Sequence, residues 1–161
     1  MDRDQMQQAL EALHPASFAW AMTCCGFDRA RAEDVLQTAY LKVLDGRAVF
    51  SGRSSLKTWF FAVLRNTAAQ QGRVSRLRRL FPISETVPTP EARVDHQQRQ
   101  AEVRHALARL STRQREVLDL VFFHELTVEQ AAEVMAVGVG SARVHYARGK
   151  KAMSRHLRGS R

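Results

Sequence analysis

The side chains best placed to do chemistry in this sequence are cations and aromatics, and their chemistry is binding rather than bond breaking. Residues 50–82 carry Arg53, Lys57, Arg65, Arg73, Arg76, Arg78 and Arg79 and no acid. Residues 134–161 carry seven further Lys and Arg, again with no acid. Acid-free basic stretches neutralise phosphates, and two of them in one chain point to two separate contacts with a polyanion. The total has the same sign, with 25 Lys and Arg against 16 Asp and Glu and a formal net charge of +9 over 161 residues. An enzyme acting on nucleic acid would need paired carboxylates or a metal cluster beside the basic face. The acids gather instead in residues 1–49, seven against five bases, and on the linker side of the second half. His14, His96, His105, His124, His145 and His156 are scattered, and the adjacent Cys24 and Cys25 lack a Cys-x-x-Cys partner. No catalytic residue, cofactor or metal is therefore expected.

Within the first basic stretch the residue types suit an opened DNA strand. Arg53, Lys57, Arg65 and Arg73 form a positive track for phosphates, and Phe61, off the apolar stripe of its helix, is free to stack or wedge. The Phe50–Ser55 loop, with Ser51, Gly52, Arg53, Ser54 and Ser55, offers the small hydroxyl-bearing residues that a pocket for an extruded base needs. Trp59 and Phe60 fall by spacing in the core. In the second basic stretch Arg143 has the reach for a guanine edge, and Arg148, Lys150 and Lys151 suit phosphates.

Helices must position these groups, because the periodicity is helical almost throughout. One helix is expected over residues 5–24. A second, from about Ala30 to Leu44, puts Val35, Leu36, Ala39, Tyr40, Val43 and Leu44 on one stripe. Ser54 or Ser55 can cap a third, which buries Leu56, Trp59, Phe60, Val63, Leu64 and Thr67. Gly72 and the basic run to Arg79 lead into a segment holding Pro82, Pro88 and Pro90, which reads as a linker. A polar helix from about Glu91 to Leu110 follows. Ser111–Gln114 and Thr127–Gln130 are capping-box patterns that open two short helices, 111–123 and 127–135. A turn through Val137–Gly140 leads to a basic helix over 140–157. This trio looks like a helix-turn-helix whose last member presents Gly140, Ser141, Arg143, His145, Tyr146, Arg148, Lys150 and Lys151 to a major groove, with Gly138 and Gly140 keeping its entrance slim. The expected fold is all-α: two small helical domains, 1–80 and 96–161, joined by a flexible linker, 81–95.

Leu110 to Lys151 resembles the promoter-reading C-terminal domain of bacterial sigma factors, through Arg115-Glu116-Val117-Leu118, Leu126-Thr127-x-Glu129-x-Ala131-Ala132 and Val139-Gly140-Ser141. Ala32 to Leu44, followed by Phe50 to Ala68, resembles the core-binding and −10-binding region of the extracytoplasmic-function (ECF) class. The residues that carry this are Glu33-Asp34, Gln37, the Leu-x-Thr-Trp segment and Arg65-Asn66. The chain is also too short for the middle domain of larger sigma factors. The resemblance implies a region 2-like bundle and a region 4-like helix-turn-helix. Its expected partners are RNA polymerase core, through the clamp helices of the largest subunit and the flap of the second-largest, and promoter DNA. That DNA would be duplex at the −35 element and single-stranded at the −10 element, with a base flipped into the 50–55 loop. An anti-sigma factor is a further expected partner.

On the helix opposite its apolar stripe, Asp34, Thr38, Leu41 and Asp45 follow at i, i+4, i+7 and i+11, and an apolar residue ringed by polar ones resembles an interface anchor. With Glu33 and Gln37 this face is the expected grip on polymerase. The class usually has an acid where Thr38 stands, so phosphorylation of Thr38 by a Ser/Thr kinase would restore a charge there. Gly138, Ser141 and His145 also depart from the usual Pro, Thr and basic residue, which bears on the promoter sequence read. A regulator that binds promoters without polymerase is the alternative, but it leaves the Asp34–Leu41 face and the 50–66 segment unexplained. No apolar run approaches the roughly 20 residues of a membrane span, and the polar N-terminus is unlike a signal peptide. A cytosolic protein without membrane insertion is expected.

Overall fold

The computed structural model describes residues 1–79 and 96–159, without the side chains of 75–79, 96–98 and 100. The expected proline-bearing linker lies outside the described residues. The elements are α1 (Arg3–Ala12), α2 (His14–Cys24), α3 (Arg29–Leu44), α4 (Leu56–Arg79), α5 (His96–Ala108), α6 (Thr112–Phe122), α7 (Val128–Met135) and α8 (Val139–Arg158). All are α-helices, and among the described residues no helix is long and apolar enough to cross a membrane.

Local chemistry sets the helix ends. Asp2 accepts from the Gln5 amide at 2.8 Å while the Gln5 side chain receives the Asp2 amide at 3.0 Å, closing a capping box on α1. The single helix expected over 5–24 is two helices. Pro15, in the first turn of α2, has no amide to give the carbonyl four residues back, and its ring crowds that carbonyl, so the chain breaks at Leu13. Ser55, not Ser54, caps α4 by accepting from the Thr58 amide at 3.1 Å. Gly72 does not end that helix, which runs on to Arg79. A lone glycine costs a helix only about 1 kcal/mol relative to alanine. Ser111 and Thr127 cap α6 and α7 as expected, the latter with the full reciprocal box.

The core follows from α4 having neighbours on two sides. Ala32, Val35, Leu36 and Ala39 of α3 and Trp20 of α2 are buried against it. Phe60 stacks on Tyr40 with ring centres 5.3 Å apart. Leu44 leaves the expected stripe and is half exposed, because eight residues beyond Leu36 a helix has turned about 80° out of line. On its other side α4 packs against α7, and α2 packs against α6. One apolar cluster therefore runs from Trp20, Phe60 and Leu64 to Val117, Leu120, Val134 and Met135. A smaller cluster, Leu107, Leu110 and Leu118, joins α5, α6 and α8.

The turn between α7 and α8 is closed by bonds from the Ala136 amide to the Glu133 carbonyl (3.2 Å) and from Val137 to Ala132 (3.1 Å). Ala136 is left-handed there, with φ 54 and ψ 44, a conformation that strains any residue with a Cβ. Ala136→Gly is expected to raise stability by about 0.5–1 kcal/mol after the entropy of the unfolded glycine is counted, read as a higher urea midpoint with an unchanged slope.

Candidate polymerase and promoter interfaces

Three outward surfaces arise from these helices. The first is the solvent side of α3. Glu33, Asp34 and Gln37 are exposed, and Leu41 is 52% exposed. Glu33 is held by Arg29 one turn earlier at 3.0 Å. Thr38 is half-buried, and its hydroxyl accepts from the Gln71 side chain of α4 at 3.0 Å. Lys42 bonds Thr67 (3.0 Å) and Gln70 (2.9 Å) of the same helix, so two polar bridges fix the roll of α3 on α4. Burial, with Arg47 nearby, lowers the Lys42 pKa. Glu33, Leu36 and Gln37 also edge a groove of ≈ 370 Å³ shared with His14 and Tyr40. The sequence reading did not assign those two to this face. Their side chains meet at 2.9 Å between Nδ1 and the phenol oxygen, a contact 26 residues apart that no local pattern announces.

The second surface is the loop before α4. Ser51, Gly52, Arg53 and Ser55 are exposed, and Gly52 has a φ of 78 that suits glycine. Phe50 leans on Trp59 at 5.3 Å and fastens the loop to the helix. Asn66 is exposed further along. The expected positive track is interrupted: Arg53 and Arg73 are exposed, but Lys57 and Arg65 between them are engaged within the chain. Phe61, expected off the stripe, is fully buried, stacked on Trp20 at 5.9 Å and met edge-on by His124 at 4.9 Å. Arg65 is ion-paired to Glu116 of α6 at 2.6 Å, and Lys57 donates to the His124 carbonyl at 2.6 Å. The reason is the second neighbour of α4: the flank that a lone helix would show to solvent is covered by the C-terminal half.

The third surface is α8. Gly140, Ser141, Arg143, Arg148, Lys150 and Lys151 are exposed, whereas His145 and Tyr146 are half-buried. Arg143 pairs with Glu129 of α7 at 3.1 Å, across the turn. The amide of Glu129 itself, then Arg143, lower the Glu129 pKa. Tyr146, expected at the DNA, stacks on Phe122 at 6.0 Å, with the Lys150 ammonium 4.4 Å from its ring centre. Its ring belongs to the α6–α8 contact. That contact is close because Gly149 faces α6: a Cβ there would stand 3.2 Å from Leu118 Cδ1 and 3.3 Å from Gln114 Cβ.

The fold and these surfaces define a two-part, helix-turn-helix initiation factor. Residues 9–79 match the family description Sigma-70 region 2, and residues 100–153 match Sigma-70, region 4. The chain belongs to the ECF sigma factors of bacterial RNA polymerase. It is 31% identical to ECF RNA polymerase sigma factor SigC of Mycobacterium tuberculosis over 154 residues, which covers 91% of this chain and 82% of that one. It is 30% identical to EcfG of Rhodopseudomonas palustris, covering 91% and 83%. Among solved structures it is similar to the sigma factor RpoE of Bartonella quintana in complex with the anti-sigma factor NepR. The TM-score is 0.74 at 25% identity, covering 98% of this chain and 99% of that one. It also shares the fold of CnrH in complex with the cytosolic domain of CnrY, with a TM-score of 0.71 at 21% identity over 99% and 92% of the two chains.

Gly149→Leu is expected to push α8 off α6. It should cost about 1–3 kcal/mol of stability, measured by thermal melting.

Proposed function

We propose that the chain docks on polymerase core through the α3 face and places two DNA-reading surfaces of one molecule on a promoter. The single observation that carries this reading is the division of labour on the surface. The mixed polar–apolar face of Glu33, Asp34, Gln37 and Leu41 and the cationic row of Arg143, Arg148, Lys150 and Lys151 lie on different helices, and both are exposed. In this reading Arg143 gives base readout at the −35 element, and the other cations hold phosphates. The Phe50–Ser55 loop, with Asn66, Lys57 and Arg65, takes the opened −10 strand. Strand binding offsets the few kcal/mol of unpairing that a flipped base costs, so melting needs no catalytic group. Residues 1–80 and 96–161 act as the two working units, in the cytoplasm. The neighbouring RpoE structure contains the anti-sigma factor NepR, and an anti-sigma factor is proposed as a regulator of this chain too.

Run-off transcription with purified core polymerase on a promoter library tests the assignment. Promoter-specific transcripts are expected only when the protein is added. They should fall at least tenfold with Asp34→Ala, through loss of core binding, and with Arg143→Ala, through about 1–3 kcal/mol of lost base discrimination. Binding of unaided protein to duplex promoter, with no stimulation of core, would favour a polymerase-independent regulator.

Thr38 lies on the same face with its hydroxyl held by Gln71. Kinase activation there predicts that Thr38→Glu binds core more tightly than Thr38→Ala in a pull-down titration. Equal binding removes phosphorylation and leaves Thr38 as a neutral contact.

A further inference from the structure

The line of α8 that points straight away from the body of the protein is apolar at its centre. Ala142 and Gly149 mark the buried side of this helix. At about 100° per residue, Val144 lies about 160° from Ala142 and about 140° from Gly149, while Gly140, Ala147 and Lys151 fall within about 60° of it. All four are exposed, Val144 by 45%. Arg143 and Lys150 lean off this line to one flank, Arg143 to Glu129 at 3.1 Å and Lys150 over the Tyr146 ring at 4.4 Å. The crest of α8, the part that goes deepest into a groove, is therefore an isopropyl group between two small residues. The sequence reading assigned neither Val144 nor Ala147 to the DNA.

Base edges in a major groove offer hydrogen-bond donors and acceptors, and an isopropyl group answers none of them. Pressed on a G·C pair it would strip water from those groups and return no hydrogen bond. The C5 methyl of thymine is the only methyl group on these edges, and A·T pairs alone carry it. We propose that Val144 is a specificity-determining residue, packing on a thymine methyl in the duplex that α8 reads and so selecting an A·T pair in one orientation. Gly140 and Ala147 beside it are short enough to let Val144 reach van der Waals contact, where a longer side chain would hold it off. A β-branched side chain keeps one strongly preferred rotamer in a helix, so its two methyl groups are set before DNA arrives. Arg148 and Lys151, exposed on either side of the crest, have the length to reach phosphates while Val144 touches the base. The proposal rests on the assignment of α8 to duplex DNA made above and adds which base it selects.

The test uses the free full chain at low salt and a pool of fluorescent duplexes of randomised sequence, with no polymerase. The duplexes it retains are expected to share a thymine at one position. Replacing that thymine by 2′-deoxyuridine leaves base pairing unchanged and removes only the C5 methyl. In fluorescence anisotropy this replacement should weaken binding by the unmodified chain about fourfold, the scale set by one buried methyl group. That readout does not depend on any variant folding. Val144→Ala is expected to bind the thymine and deoxyuridine duplexes equally, with the melting temperature of the unmodified chain. Retained duplexes with no favoured thymine would overturn the proposal, as would equal binding of thymine and deoxyuridine duplexes by the unmodified chain. So would a Val144→Ala variant that still loses fourfold with the methyl, since another residue would then be reading it. Loss of promoter-directed transcription with the methyl dependence intact would instead count against the polymerase assignment and leave the role of Val144 standing.

Discussion

Everything in this molecule leans on α4 being covered from two directions. Phe60 and Phe61 are consecutive, so on a helix they point about 100° apart, and both are fully buried. Phe60 closes the N-terminal bundle on Tyr40. Phe61 lies in a second layer with Trp20, whose indole donates to the Phe61 carbonyl at 3.0 Å, and with His124 from the far half. Burying a side chain of this size stabilises by roughly 2–3 kcal/mol. Two such residues on adjacent positions give α4 a wide apolar face that one bundle alone could not satisfy.

That constraint decides which charges remain outside. The outer side of α3 stays exposed because α3 packs on α2 and α4 along Ala32, Val35, Leu36 and Ala39 and is bridged to α4 from Thr38 and Lys42. The cations of α8 stay at the surface because α8 meets α6 and α7 with its opposite side, at Ala142 and Gly149. Lys57 and Arg65 are not free, because they flank Phe61 on the side where the C-terminal half arrives. The net charge of +9 is thus divided between cations exposed for a partner and cations answered within the chain. Arg143 stands between the two: exposed, yet paired with Glu129 at 3.1 Å. An exposed pair of this kind is worth little and is easily exchanged for a phosphate.

The likeness to RpoE, solved with the anti-sigma factor NepR, and to CnrH, solved with the cytosolic domain of CnrY, covers nearly the whole chain. In this chain α4 on α7 and α2 on α6 bring together apolar residues of both halves.

By itself the sequence determined the helices, their caps and the two outward surfaces. Ser111 and Thr127 cap where hydroxyl and Gln stand three apart, the α3 stripe reads at spacings of three and four, and the family motifs sit in one stretch of chain. These features rest on contacts within a turn or two of helix, which periodicity records. The tertiary structure decided the rest. The break at Pro15 follows from a residue type visible in the sequence. The burial of Phe61, the stacking of Tyr146 on Phe122 and the pairing of Arg65 with Glu116 do not, because each depends on a partner that folding brings across 24 to 63 positions. Amphipathic patterns report that a face is buried against something. Which element covers a second face is a question of global packing, and a one-dimensional pattern holds no term for it.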